Sequence, residues 1–304
     1  MTKRARLIYN PVSGHEQMPK NVSDILDILE QAGYEASAFR TTPAPLSAQN
    51  EATRVAKDGF SLVVAAGGDG TINEVVSGIA FLPKEERPRM AIIPAGTTND
   101  YARALKIPRD DVVAAAKVIL KDKVQKMDVG RADFGDGSQK YFVNIAAAGS
   151  LAELTYGVSS DVKSALAAYL IKGAEMLPNL SECEMRLTFD KGVYEGKLSL
   201  LLLGMTNSIG GFEKIMPNAE LSDGLFQLIV VKPSDPGNLL RLMALNGKHV
   251  DDPNIIYTKT TSLKAELIGH NRDDKLSVNL DGEEGGMFPV TFENLRERIE
   301  FYVG

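Results

Sequence analysis

The chain has 304 residues, 44% of them apolar and 24% charged, the mix of a globular protein long enough for two domains, with no sign of disorder or a repeat array. A net charge of −6 argues against overall attraction to nucleic acid, and no nucleic-acid partner is expected. The single cysteine, Cys183, rules out an intrachain disulfide and a cysteine metal cluster, and fits a reducing compartment.

The N-terminus is basic at Lys3, Arg4 and Arg6, but Leu7, Ile8 and Tyr9 run straight into Asn10-Pro11, so no secretory signal is read. Residues 6–10 predict a strand, 22–32 a helix with apolar positions at helical spacing, 34–41 a second strand and 48–57 a second helix. Residues 61–66 read as a buried strand leading into Gly67-Gly68, followed by a helix over 71–79, a strand over 90–94 and a helix over 112–120. Repeated βα units imply a parallel sheet covered on both faces.

Beyond about residue 124 strands dominate, at 140–147, 184–189, 194–205, 225–231, 264–267 and 275–280, punctuated by turn dipeptides such as Asp223-Gly224 and Asp281-Gly282. Helices over 162–177 and 238–246 interrupt them, and a last strand over 298–303 is expected to return to the first domain. The longest apolar run, residues 198–205, is far below the roughly 20 residues that span a bilayer, so any membrane contact is expected to be peripheral and cytoplasmic. The expected fold class is α/β plus β. An N-terminal parallel, Rossmann-like nucleotide domain covers residues 1–125 plus a C-terminal strand at 290–304, and an antiparallel β-sandwich domain covers 126–289.

In a parallel α/β sheet, ligands sit beyond the carboxyl ends of the strands, where loops lead into helix N-termini. Four segments occupy such positions: Asn10-Pro11-Val12-Ser13-Gly14, Thr41-Thr42, Gly67-Gly68-Asp69-Gly70-Thr71-Ile72-Asn73-Glu74, and Pro94-Ala95-Gly96-Thr97-Thr98-Asn99-Asp100. Glycines let backbone N–H groups approach phosphates, while Ser13, Thr71 and Thr97 supply short hydroxyl donors. Asp69 and Asp100 suit bound Mg²⁺ or an orienting network better than phosphate. No Gly-Lys-Ser/Thr follows the loop, so this is not the Walker pattern. A single Gly-Gly-Asp-Gly turn is often only a tight connection, but three such loops at equivalent positions read as binding loops.

The second half offers acidic sites with two readings each. Asp281 and Glu283 either flank a hairpin turn, for which Asp-Gly is a strong signal, or share one face of a continuing strand as a carboxylate pair fit for proton transfer. Asp223 is either a hairpin residue or, flanked by backbone carbonyls, a ligand for a hard cation. Asp128 either joins an acidic network or is simply exposed.

These segments, together with Leu221-Ser222-Asp223-Gly224 and in this order along the chain, resemble the diacylglycerol kinase catalytic family over essentially the whole length. Asn207-Ser208, residues 211–214 and residues 172–178 are similar to its soluble bacterial subgroup. The resemblance implies ATP lying across Asn10, Pro11, Val12, Ser13, Gly14, Thr41, Gly67, Gly68, Asp69, Gly70, Thr71, Ile72, Asn73 and Thr97. It implies Mg²⁺ held by Asp223 with backbone oxygens of Glu220 and Leu225, and a water-linked network of Asp69, Asp100 and Asp128. Asp281 and Glu283 fall on the family's catalytic acidic pair, one of which takes the proton of a lipid hydroxyl. It further implies a homodimer that meets anionic phospholipid at the cytoplasmic membrane through basic residues near the cleft. Here the chain departs from the pattern with a nearly neutral His15 beside its first loop, and Lys20, Arg103 and Lys163 remain as candidates.

The reaction so implied is transfer of the γ-phosphoryl group of ATP to diacylglycerol, giving phosphatidic acid. Rival readings are the same chemistry on undecaprenol, ceramide or a sphingoid base, NAD kinase, and a non-catalytic nucleotide-binding regulator. NAD kinase lacks the segments at 10–14 and 94–100, and a regulator would not require Asp281 and Glu283.

Overall fold

The computed structural model describes residues 2–13, 17–96, 99–149, 183–209, 212–213, 216, 219–233, 253–268 and 276–304. The helices expected over 162–177 and 238–246 lie outside these residues, as do Gly14, Thr97, His15 and Lys163. The chain divides into two compact units, Met1–Val129 with Arg296–Gly304, and Gly130–Leu295.

In the first unit β1 (Lys3–Tyr9), β2 (Tyr34–Arg40), β3 (Leu62–Gly67) and β4 (Arg89–Pro94) form a parallel sheet in the order β2-β1-β3-β4. The crossovers are α1 (Gln17–Gln31), α2 (Ser47–Lys57) and α3 (Asp69–Ala80), and α4 (Asp100–Ala104) and α5 (Val112–Ala116) follow β4. All six residues of β3 are buried, as a central strand covered on both faces requires. The sheet is completed by the C-terminal end of β18 (Val290–Tyr302), where Phe301 pairs in parallel with Met90 of β4.

The helix α1 begins five residues before the apolar spacing predicts. Pro19 sits in its first turn, where a missing N–H costs nothing. Likewise α3 begins at Asp69 rather than Thr71. The helix expected over 112–120 shortens to α5, followed by a 3₁₀ turn over Lys117–Lys121.

The second unit holds two antiparallel layers. One is a six-stranded sheet in the order β14 (Ile255–Thr260), β13 (Phe226–Val231), β10 (Leu200–Gly204), β7 (Ile145–Ala148), β16 (Ser277–Leu280), β17 (Glu283–Met287). The other contains β8 (Cys183–Phe189), β9 (Gly192–Leu198) and β15 (Ser262–Leu267), with β15 paired to the start of β18. In the same unit Gly130–Asp133 of β5 (Val124–Phe134) pairs with β6 (Gln139–Phe142). The short strands Ser208–Ile209 (β11) and Phe212–Glu213 (β12) pair with each other. The core is shared between the layers: Phe142 stacks on Phe226 at 5.7 Å and meets Phe292 edge-on at 6.1 Å.

Two long expected strands are each broken. Residues 140–147 become β6 and β7, which pair with different neighbours, and the break at Val143-Asn144 turns three N–H groups toward one side chain. Residues 194–205 become β9 and β10, with Ser199 between them donating its N–H to Val231. The strands β5, β14 and β17 have no counterpart in the sequence expectations. For β14 the run Ile-Ile-Tyr-Thr-Lys-Thr, rich in β-branched residues, was a usable signal.

Candidate active site

The strand order brings the carboxyl ends of β1 to β4 side by side. Tyr9 pairs with both Arg40 and Ala66, and Gly67 pairs with Pro94. Beyond this edge the backbone is tied strand to strand: the Asn10 N–H donates to Ala66, the Thr41 N–H to Tyr9, and the Ala95 N–H to Gly67, each at 2.9 Å. Asn10 also accepts the Val12 N–H on its Oδ1 at 3.1 Å, folding the Pro11-Val12-Ser13 loop back on itself.

The two glycine loops touch through their backbones. A Cβ on Gly96 would lie 2.7 Å from the Gly68 Cα and 2.9 Å from the Asn99 Oδ1. A Cβ on Gly67 would lie 2.7 Å from the Thr71 Oγ1, so the Thr71 side chain folds over this glycine. Buried Asn99 holds the second loop by accepting the Gly96 N–H at 3.0 Å and donating to the Gly96 carbonyl at 2.8 Å. The first turn of α3 directs the N–H groups of Gly70 and Thr71 along its axis at this edge, a location that favours anions.

Thus Asn10, Pro11, Val12, Ser13, Thr41, Gly67, Gly68, Asp69, Gly70 and Thr71 gather at one edge of the first unit, with Asn73 on the following turn of α3. Ile72 stands apart: its side chain is fully buried and its N–H donates to Gly68. Asp69 and Asp100 open the first turns of α3 and α4. Asp128 is not exposed. It is 3% accessible and its Oδ1 accepts the N–H of Glu297, a β18 residue with φ of 48°.

In the second unit, Asp281 and Gly282 form the two-residue turn between β16 and β17, with φ of 52° and 94°. The hairpin alternative therefore holds, and the strand period no longer relates Asp281 to Glu283. The Asp281 carboxylate accepts three backbone N–H groups, from Val143 at 2.8 Å, Asn144 at 2.9 Å and Ile145 at 2.8 Å. Buried Asn279 accepts the Gly282 N–H at 2.9 Å, and buried Thr206 bonds the Asn144 side chain beneath the same break. Sequence reasoning missed this polar foundation of Asn144, Thr206 and Asn279. Glu283, the first residue of β17, is exposed.

Asp223 lies in the turn before β13. Its Oδ1 accepts the Leu225 N–H at 3.0 Å and its Oδ2 accepts from the Lys259 Nζ at 2.9 Å. The Glu220 side chain is exposed, and Leu225 is half-buried. The group is a single carboxylate that already holds one cation, and an oxygen donor of this kind suits a hard cation, although among the described residues no group of three or more His, Cys, Asp or Glu could hold a metal ion.

Fold and site together define a two-domain α/β-plus-β protein with a glycine-lined strand-end edge in one unit and an acidic hairpin in the other. Residues 4–132 match the diacylglycerol kinase catalytic domain, and residues 151–302 match the YegS C-terminal NAD kinase beta sandwich-like domain. The chain is 45% identical to a diacylglycerol kinase of Bacillus subtilis (strain 168), covering 98% of this chain and 95% of the relative. It is 41% identical to a diacylglycerol kinase of Staphylococcus carnosus (strain TM300), covering 99% and 95%. A crystal structure described as that of a diacylglycerol kinase from Bacillus anthracis str. Sterne superposes with a TM-score of 0.77 at 25% identity, covering 99% of this chain and 97% of that one. The chain belongs to the diacylglycerol kinase catalytic family.

Proposed function

We propose that this chain is an ATP-dependent lipid kinase that phosphorylates the free hydroxyl of 1,2-diacylglycerol, giving phosphatidic acid. The observation that carries the nucleotide part is the common edge of β1 to β4, where Gly68 and Gly96 meet backbone to backbone. Such an edge lets main-chain N–H groups and a helix N-terminus approach a polyphosphate. The choice of lipid follows the full-length relatives, which carry that name.

On this reading ATP is bound by residues 10–14, Thr41, residues 67–71, Asn73 and Thr97, in a nucleotide domain of residues 1–125 with the strand 290–304. Phosphoryl transfer leaves the protein mainly positioning and charge neutralisation to do. Mg²⁺, where bound, supplies neutralisation of phosphate oxygens or of the Asp223 carboxylate. Asp223 and the backbone oxygens of Glu220 and Leu225 are the residues that would hold it in the second domain.

Of the acidic pair, Glu283 is the proposed proton acceptor. Asp281 has both oxygens engaged by three backbone N–H groups that hold the turn, bonds that are strongest to the charged carboxylate. Glu283 is exposed and starts a strand whose turn is held from beneath, so it is fixed yet accessible. The remaining elements of the reading are a homodimer and action at the cytoplasmic face of an anionic membrane, with Lys20 and Arg103 as contacts. Among the described residues no helix is long and apolar enough to cross a membrane.

The test is transfer from radiolabelled ATP by the purified chain, in mixed micelles containing diacylglycerol, undecaprenol, ceramide or sphingosine, with NAD in a parallel reaction. Label in phosphatidic acid is expected. Label only in another product, or none in any, would overturn the reading.

A further inference from the structure

The Asp223 turn carries its own cation. Lys259 lies on β14, paired in register with Gln227 of the neighbouring β13, which places its side chain over the turn that opens β13. Its Nζ is 2.9 Å from the Asp223 Oδ2, and the two side chains are only 33% and 16% accessible, so the pair is partly shielded from water. The other carboxylate oxygen is occupied by the Leu225 N–H, and the turn is completed by Gly224 at φ of 77°. The Oδ2 oxygen, which the turn itself does not use, is thus neutralised by a positive charge that the chain supplies.

We propose that Lys259 is an intramolecular competitor for the cation position at Asp223, so that a divalent ion and the Lys259 ammonium are alternative occupants of one site. This rests on the proposed role of Asp223 as a cation ligand and sharpens it. A single carboxylate with backbone carbonyls is a low-charge donor set, and divalent affinity at such sites falls with ligand charge. Lys259 cancels the one negative charge, and an ammonium about 4 Å from a divalent ion repels it strongly in a half-buried setting. For the ion to bind, the Lys259 side chain must swing away and lose its partner. The consequence is a second domain that keeps this turn ordered without a divalent ion and binds one only weakly.

The test is Mn²⁺ binding to the nucleotide-free protein, read from the electron paramagnetic resonance signal of free Mn²⁺. Lys259→Met is expected to bind one Mn²⁺ on the order of tenfold or more tighter than the wild type. The double variant Asp223→Asn/Lys259→Met should lose that gain, and Lys259→Arg, which keeps a cation at the same oxygen, should stay at the wild-type affinity. Millimolar Mg²⁺ should raise the melting temperature of Lys259→Met and leave that of the wild type unchanged. Equal Mn²⁺ affinity in wild type and Lys259→Met would overturn the proposal, as would a gain that survives Asp223→Asn or appears equally in Lys259→Arg. So would a Lys259→Met chain that stays unfolded in Mn²⁺, since the divalent ion should replace the missing ammonium. No nucleotide or lipid enters the measurement, so its failure leaves the kinase reading standing, and a chain that phosphorylates no lipid can still pass it.

Discussion

Asp281 and Glu283 are two residues apart and chemically alike, yet their surroundings separate them. Asp281 caps a break in the backbone, whereas Glu283 stands on the exposed start of β17. Glu283→Gln is expected to lower kcat by about 10²–10⁴-fold with little change in unfolding midpoint, as loss of a proton acceptor should. Asp281→Asn instead places an amide donor against N–H donors of residues 143–145, at a cost of about 1–3 kcal/mol in stability, to be read by urea unfolding. An Asp281→Asn chain of wild-type stability would show that the clamp does not hold the turn. Burial pulls Asp190 upward, but the Thr261 N–H at 2.8 Å and hydroxyl at 3.0 Å outweigh it and hold its carboxyl below the usual range. A carboxyl lowered in the folded state stabilises above its unfolded value, and that contribution disappears as pH falls through the folded one. The Asp190→Asn chain should therefore be less stable than the wild type at neutral pH, with the gap closing on acidification. Because Asp190 is exposed, the gap should stay under about 1 kcal/mol in thermal melts across pH.

At the scale of elements, the nucleotide edge depends on how closely loops approach. Gly96→Ala would press a methyl group against the Gly68 backbone, which has no flexible side chain to move aside. Overpacking of this kind costs about 1–3 kcal/mol, so ATP affinity measured by calorimetry should fall roughly tenfold while the fold persists. The loops themselves were legible because glycine and hydroxyl residues at strand ends carry a local signal. The strand breaks were not. In residues 194–205 the polar Tyr-Glu-Gly-Lys start and the Leu200–Leu203 run do differ in character, but the switch of pairing from β8 to β13 at Ser199 depends on neighbours that lie elsewhere in the chain. The break at Val143-Asn144 is likewise invisible until Asp281 is brought against it, because its partner lies 136 to 138 residues further along the chain.

For the whole molecule, the first unit depends on residues at the far end of the chain. Ile299, Phe301, Tyr302 and Val303 are all buried at 5% accessibility or less, and the Tyr302 hydroxyl meets that of Tyr34 at 2.9 Å. Burial and this hydrogen bond raise the Tyr34 hydroxyl well above the ordinary tyrosine value, so Tyr34 stays neutral across the working pH range. Burying each large apolar side chain contributes roughly 1.5–3 kcal/mol, so together the four rival the roughly 5–15 kcal/mol net stability of a domain. Removing residues 299–304 should abolish the cooperative unfolding of the first unit and with it ATP binding, as followed by circular dichroism and calorimetry. A truncated chain that still melts cooperatively and binds ATP would refute this. The sequence by itself determined the α/β-then-β order, the strand-end loops and the acidic hairpin segment, because hydrophobic period, glycine and turn chemistry act over a few neighbouring residues. Only the tertiary structure decided which carboxylate is clamped and which exposed, and that Asp223 already holds a cation. Those outcomes depend on hydrogen-bond and charge partners far away in sequence, which no local pattern specifies.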